Sequence, residues 1–365
     1  MTEHLLANLG VPYSRPGTPG AQSNVQIGWI GLGQMGYYMA RNLAKRVTPP
    51  GSQHLPLKVW NRTANKAEKL QQQLGKALVT IAADIEEIAT TCDVIITNLS
   101  NDEVVKEVYE QCARYLEFAP PVKNKIFVET STILPRLSGE LDYLVSRLAR
   151  CHYLSCPVFG RPNVADKAQL LIVMAGEYRS KKEVAYLLVP AVGRKVIDLG
   201  ENVEKAPTFK LLGNSMILGA VEVIAEAYTL GDKAGIEAGR IQDLIGEILP
   251  APGENQTNAG NSLMGYADRM ARDDYNGEDG FSLEGGIKDA SHIRHLTAKY
   301  SAPMPMIDIA HQRLITARAI HTTQKEEGTQ SHDVLDWTAL IAGSRVAAGL
   351  DPFHSRKTKA VVEEA

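Results

Sequence analysis

Cysteine is scarce: four residues in 365, Cys92, Cys112, Cys151 and Cys156, with no CxxC pair among them. So few and so scattered, they exclude a disulfide framework and are expected as free buried thiols in a reducing compartment. Aromatic residues make up only 6% of the chain, and neither sign of charge dominates, with 39 Lys and Arg against 42 Asp and Glu for a formal −3. A nucleic-acid binder needs a basic field, and the whole-chain balance supplies none. Long apolar runs are missing too. The longest, Met216 to Leu230, is interrupted by Glu222 and Glu226 and falls short of the roughly 20 residues of a membrane span, so a soluble protein is expected. No HExxH, GxSxG or P-loop GK[ST] motif occurs, which removes zincin, nucleophile-elbow and P-loop chemistries. His292 and His295 have a spacing that a metal can use, but no third ligand accompanies them, and a solvated helix face is the expectation.

What is present is ordinary globular usage, 44% apolar and 22% charged, in a chain long enough for two domains. The first 23 residues carry Glu3, a short apolar run and then Pro and Gly, without the pattern of a signal peptide, and are expected to form a flexible tail. Glu3 and the single Arg15 of this segment argue against a mitochondrial presequence. A cytoplasmic location is therefore expected, with a mitochondrial one as the alternative.

Short β-rich runs follow at Val25–Ile30, Leu57–Trp60, Val79–Ile81, Val94–Thr97, Ile126–Val128 and Leu170–Met174, with helical patterns between them. Strands alternating with helices predict βαβ units and a mostly parallel sheet covered on both faces. Beyond residue 205 the strand signals disappear. Residues 206–235 read as one long helix, apolar on nearly all sides and therefore expected to be buried, with Gly235 as its stop. Further helices are expected at 236–248, 256–272, 284–300, 305–322 and 333–348. The predicted class is α/β: a Rossmann doubly wound domain at 24–204, a connecting helix at 205–235, an all-helical domain at 236–350 and a C-terminal tail at 351–365.

Gly31-Leu32-Gly33-Gln34-Met35-Gly36 directly follows the first strand and opens the first helix. In that setting the first glycine makes the tight turn, the second lets a pyrophosphate approach the backbone and the third brings helix and strand together. The phosphates would lie on the helix N-terminus. At the end of the second strand an NAD enzyme places a carboxylate for the ribose hydroxyls, whereas this chain has Asn61-Arg62-Thr63. Arg62 suits a 2′-phosphate, and Asn61 and Thr63 can donate to it without adding negative charge, so NADP(H) is the expected cofactor.

The run Trp29 to Leu43, with Asn61-Arg62-Thr63, Ser131-Thr132, Phe209-Lys210 through Asn214 and Phe281 through Lys288-Asp289, resembles the β-hydroxyacid dehydrogenase family. That family includes 3-hydroxyisobutyrate, tartronate-semialdehyde and 6-phosphogluconate dehydrogenases and the glyoxylate/succinic semialdehyde reductases. The resemblance implies a Rossmann domain followed by a helical, dimerising domain, hence a homodimer, and a small-molecule substrate. Lys210 matches the catalytic lysine and Asn214 the asparagine that orients substrate. Four residues apart on a helix they share a face, from which Glu222 is turned by about a third of a revolution. Leu99, Ser100, Thr132 and Lys288 match cofactor contacts. Ser131, Phe159, Gly160, Phe281 and Asp289 match positions around the substrate.

One segment departs from the family. Its substrate loop commonly reads Asp-Ala-Pro-Val-Ser-Gly-Gly, and here it is Ser155-Cys-Pro-Val-Phe159-Gly160-Arg161. Phe159 replaces the hydroxyl with an apolar ring, and Arg161 either restores anion binding or points to solvent. The leading expectation is an NADP(H)-dependent oxidoreductase acting on a small aldehyde, semialdehyde or 3-hydroxy acid. An imine reductase and a non-catalytic NADP(H)-binding protein are the alternatives.

Overall fold

The computed structural model describes residues 10–14, 25–47, 55–248 and 259–355. The chain divides into two compact units, one up to Lys210 and one from Leu211 onward.

In the first unit, parallel strands β1 (Ile27–Ile30), β2 (Leu57–Trp60), β3 (Val79–Ile81), β4 (Val94–Thr97), β5 (Lys125–Glu129) and β6 (Cys151–Ser155) stand in the order β3-β2-β1-β4-β5-β6. The crossover helices are α1 (Gln34–Val47), α2 (Ala64–Leu74), α3 (Ile85–Thr91), α4 (Asp102–Phe118) and α5 (Pro135–Ser146). Both faces are covered, as the continuous apolar strands require. Adjacent residues point to opposite sides: Ile96 and Val128 join one core with Met39 and Leu43 of α1, while Ile95 and Phe127 join the other with Val105 and Tyr109 of α4.

The sheet goes on past β6, and of its further strands the sequence reading singled out only the one at Leu170–Met174. After β7 (Val158–Phe159) and the short α6 (Pro162–Asp166), β8 (Leu170–Gly176) runs antiparallel to both β6 and β7. Helix α7 (Tyr178–Leu188) then leads to β9 (Gly193–Asp198), parallel to β8. All four cysteines are buried free thiols in this unit.

Two corrections concern the expected tails. Within the N-terminal segment, Tyr13 is buried in the core, its carbonyl accepts the Tyr186 hydroxyl, and Val196 N–H donates to Gly10 O, so residues 10–14 are docked on the sheet. At the other end Phe353 is buried against Tyr275, and Ser355 donates from its N–H and hydroxyl to Asp273 at 2.9 Å, so the fold holds the chain to that point. The remainder of both expected tails, the start of the helix expected at 256 and most of the loop 48–56 lie outside the described residues.

The long helix is α8 (Lys205–Ala234), closed by Gly235 at φ 73°. By length and composition it could cross a membrane, although half of its most apolar window is buried inside the protein. The expectation of a buried helix holds only in part: Leu212, Met216, Val223 and Leu230 are exposed, and among the described residues no other element covers that stripe. The second unit adds α9 (Ala238–Ile248), α10 (Ala259–Ala271), α11 (Leu283–Tyr300), α12 (Pro305–Glu327), a 3₁₀ turn (Trp337–Leu340) and α13 (Ile341–Ala347). Its interior holds Arg345, fully buried between Asp232 at 3.0 Å and Asp273 at 2.8 Å.

Candidate functional site

The glycine turn is built by the fold at two positions and left open at the third. Gly31 has φ +99°, strained for any L residue, and a Cβ there would stand 2.2 Å from Asn98 O. A Cβ on Gly36 would be equally close to Gly31 O. Trp29, buried in β1, donates its indole N–H to Gly31 O at 2.8 Å, and Leu32 N–H donates to Asn61 Oδ1 at 2.7 Å. Around Gly33, by contrast, a Cβ would meet nothing within 4 Å. Among the described residues no atom demands a glycine there, and the open space is what a pyrophosphate lying on the backbone needs. Helix α1 begins just beyond, at Gln34 and Met35, with no acidic residue in its first turn, so its N-terminal dipole is left to an anion. These residues fit a dinucleotide.

On the β2 side, Asn61 serves the turn itself. Its carbonyl accepts from Leu32, and its amide donates to Thr63 O at 2.9 Å. Arg62 and Thr63 are exposed, Thr63 makes no side-chain cap bond to α2, and no carboxylate occupies positions 61–63.

On the other side of the switch point, where β1 and β4 are neighbours, the loops after β4 and β5 are bonded to each other. Leu99 N–H donates to Ser131 Oγ at 2.7 Å, and Asn98 Nδ2 donates to Thr130 Oγ1 at 3.0 Å. The Ser131 side chain, expected near substrate, is thus buried and holds the Leu99-Ser100 loop, while Thr132, next to it, is partly exposed. Beneath both lies Glu129, which the sequence reading missed. Desolvation pushes its carboxyl up to about 7, against bonds from Ser131 and Thr97 that pull it down.

The departing loop ends on Phe159 in β7 and turns at Gly160, φ +139°. The short α6 that follows is fastened to α1 by the Arg41–Asp166 ion pair at 2.6 Å and by Asn42 Nδ2 donating to Ala165 O at 2.8 Å; Arg161, at its start, is half-buried. Phe159 packs edge-on against Phe209, and its ring face lies 4.3 Å from Lys210 Nζ. Lys210 is 8% exposed. A ring face attracts an ammonium by about 0.5–2 kcal/mol, which fixes where the amine points.

In the helical unit, Asn214, one turn beyond Lys210 on α8, donates its amide to Asp289 Oδ2 at 2.6 Å. Lys288 Nζ stands 3.1 Å from the other oxygen of the same carboxylate. Asp289 is 1% exposed, and its described contacts are with Lys288 and with Asn214, whose carboxamide it orients. Phe281 packs at 4.8 Å on Trp337, and its N–H donates at 2.7 Å to the buried Asp336. Among the described residues no three His, Cys, Asp or Glu side chains gather as a metal site.

Residues 26–200 match the family model of the NAD binding domain of 6-phosphogluconate dehydrogenase. An uncharacterized oxidoreductase of Bacillus subtilis (strain 168) is 28% identical over 87% of this chain and 99% of its own length. An NADH-dependent oxidoreductase of Aspergillus ustus is 24% identical over 88% of this chain and 99% of its own. The mitochondrial 3-hydroxyisobutyrate dehydrogenase of Drosophila melanogaster is 27% identical over 81% and 84%. Among solved structures, the Mycobacterium tuberculosis 3-hydroxyisobutyrate dehydrogenase shares the fold with a TM-score of 0.67 at 22% identity, covering 87% of this chain and 98% of that one. An imine reductase from Pseudomonas sp. shares it with a TM-score of 0.52 at 18% identity, covering 88% and 99%. The glycine turn and the parallel sheet are thus those of a pyridine-nucleotide domain of the 6-phosphogluconate dehydrogenase type, and over most of its length the chain is similar to oxidoreductases, a 3-hydroxyisobutyrate dehydrogenase among them.

Proposed function

We propose that this oxidoreductase uses NADP(H), acts on a small aldehyde, semialdehyde or 3-hydroxy acid, and employs Lys210 as its general acid and base. The observation that carries the reading is the buried Lys210 amine, held over Phe159 and one helical turn from an asparagine that Asp289 orients. A bound nicotinamide supplies or accepts the hydride. In the reducing direction, charge develops on the carbonyl oxygen, and Lys210 Nζ stabilises it and delivers the proton. In the oxidising direction the same nitrogen takes the hydroxyl proton. Asn214 orients the substrate through its carboxamide, and Thr132 lines the nicotinamide side. The preference for the 2′-phosphate rests on the exposed Arg62 and on the lack of a carboxylate beside it. The Aspergillus ustus relative is described as NADH-dependent, so both cofactors belong in the test.

The test is consumption of NADPH and of NADH against small aldehydes, semialdehydes, keto acids and cyclic imines. Turnover of a carbonyl class with NADPH preferred is the expected result; a preference for NADH would overturn the cofactor assignment. Phe159, an apolar ring against the lysine, favours an imine reductase as the second reading, and turnover of cyclic imines alone would establish it in place of the first. Tight NADPH binding with no turnover in any class would favour a non-catalytic binder.

A further inference from the structure

The loops that follow β4 and β5 hang on a single buried carboxylate. Glu129 ends β5 opposite Thr97, its register partner on β4, and has no exposed surface. Thr97 Oγ1 donates to Glu129 Oε2 at 2.8 Å, and Ser131 N–H donates to Oε1 at 2.6 Å. The Ser131 hydroxyl also bonds to this carboxylate while its oxygen accepts Leu99 N–H at 2.7 Å. A continuous line of donors therefore runs from the backbone of Leu99 through Ser131 to Glu129. A second tie lies beside it: Asn98 Nδ2 donates to Thr130 Oγ1, and Thr130 Oγ1 donates to Thr97 O at 2.6 Å. Because Asn98 O is also the atom that Gly31 must leave room for, the glycine turn and both loops form one block.

In a doubly wound sheet the two halves bind the two halves of a dinucleotide across the switch point. Here Arg62 follows β2 in one half, and Leu99 and Ser131 follow β4 and β5 in the other. We propose that Glu129 is a positioning residue for the nicotinamide end of the site, which it shapes by holding the loops after β4 and β5 in register. The inference rests on the pyridine-nucleotide reading above.

The carboxylate form suits this role, since in every described bond to Glu129 it accepts. A proton on it would set one donor against another, at Thr97 or at Ser131. Thr97 has an alternative acceptor in Val128 O at 3.3 Å, whereas the Ser131 N–H would lose its only described one. The titratable groups around it are Tyr109 and Asp102 of α4, Tyr153 of β6 and Cys156 just after β6, and those with a described effect disfavour the ionised form. With the carboxyl pushed up to about 7, the tie is tightest above neutrality and slackens below it.

The experiment compares the affinity of the full chain for NADPH with its affinity for ADP-ribose 2′-phosphate, which lacks the nicotinamide, by titration calorimetry at several pH values from 6 to 8. In the wild type the ratio of the two affinities should rise with pH. In Glu129→Gln it should be lower by roughly tenfold, the scale of one lost charge-assisted bond, and flat with pH, while Glu129→Asp should restore part of the slope. A wild-type ratio that does not change with pH overturns the proposal without recourse to any variant. So does a Glu129→Gln chain that loses both ligands equally, which would make the residue merely structural. Failure of the wild type to bind any pyridine nucleotide would instead overturn the functional reading, and this inference with it.

Discussion

The two units bury their charged groups in different ways. In the unit up to Lys210, Glu129 sits at a strand end, where hydroxyl and backbone donors from neighbouring loops converge on it. In the helical unit, Arg345 lies between two aspartates, and Glu222, buried on α8, has Arg313 at 3.6 Å and, among the described residues, no hydrogen bond to either oxygen. Strand ends expose unpaired backbone groups that a carboxylate can gather; a helix interior has none to offer, so charge must be met by charge. The first arrangement shapes loops that receive a ligand, and the second staples a scaffold.

Mutations should separate the two. The largest effect is expected from Lys210→Ala, which should cut turnover by about 10²- to 10⁴-fold while NADPH affinity is nearly unchanged. Unimpaired turnover would remove Lys210 from the chemistry. Arg345→Met leaves the partly buried Asp232 and Asp273 without their buried cation and should cost about 3–5 kcal/mol in urea unfolding. A loss under about 1 kcal/mol would show that the helical unit does not depend on its ion pairs.

Arg62→Ala should weaken NADPH by roughly 10- to 100-fold and leave NADH untouched, the scale of bonds to a charged phosphate. Equal losses for both cofactors would contradict the 2′-phosphate assignment. The smallest effect concerns pH. Burial pushes the Glu222 carboxyl up to about 7, with Arg313 opposing and Glu226 adding to the shift. The folded chain thus favours the protonated group, and its stabilising contribution, complete below the ordinary carboxylate range, is lost as pH rises through 7. Relative to wild type, Glu222→Gln should gain about 1–3 kcal/mol between pH 5 and pH 8. A parallel pH course for the two proteins would exclude Glu222 as a titrating group.

Much of this was legible from residue order. The strand, glycine turn and helix from Val25 to Ala44, the long helix ending at Gly235 and most of the helices after it are strongly patterned, and the structure has them; the helix expected at 333–348 is instead two bends, the bridges at Leu335 and Asp336, a 3₁₀ turn and the short Ile341–Ala347. Three strands were not legible. Cys151-His152-Tyr153-Leu154-Ser155 mixes polar and apolar residues, β7 has two residues, and β9 carries Arg194 and Lys195 exposed, as an edge strand does. The docking of Tyr13 and Phe353 depends on contacts far along the chain, which local pattern does not encode. At the site, sequence order brought out Lys210 and Asn214. The bonds that Asn61, Ser131 and Asp289 make within the protein emerged from three-dimensional neighbours alone. For Glu129 the one available signal was a carboxylate closing an otherwise apolar strand, a pattern too common to weigh.

The contrast within the glycine turn has an evolutionary consequence. In a lineage that stopped binding dinucleotides, Gly31 and Gly36 would persist, because the turn collapses without them whatever the protein does. Gly33 would be released to drift. Among descendants of this fold, retention of the outer glycines records ancestry, and retention of the middle one records use.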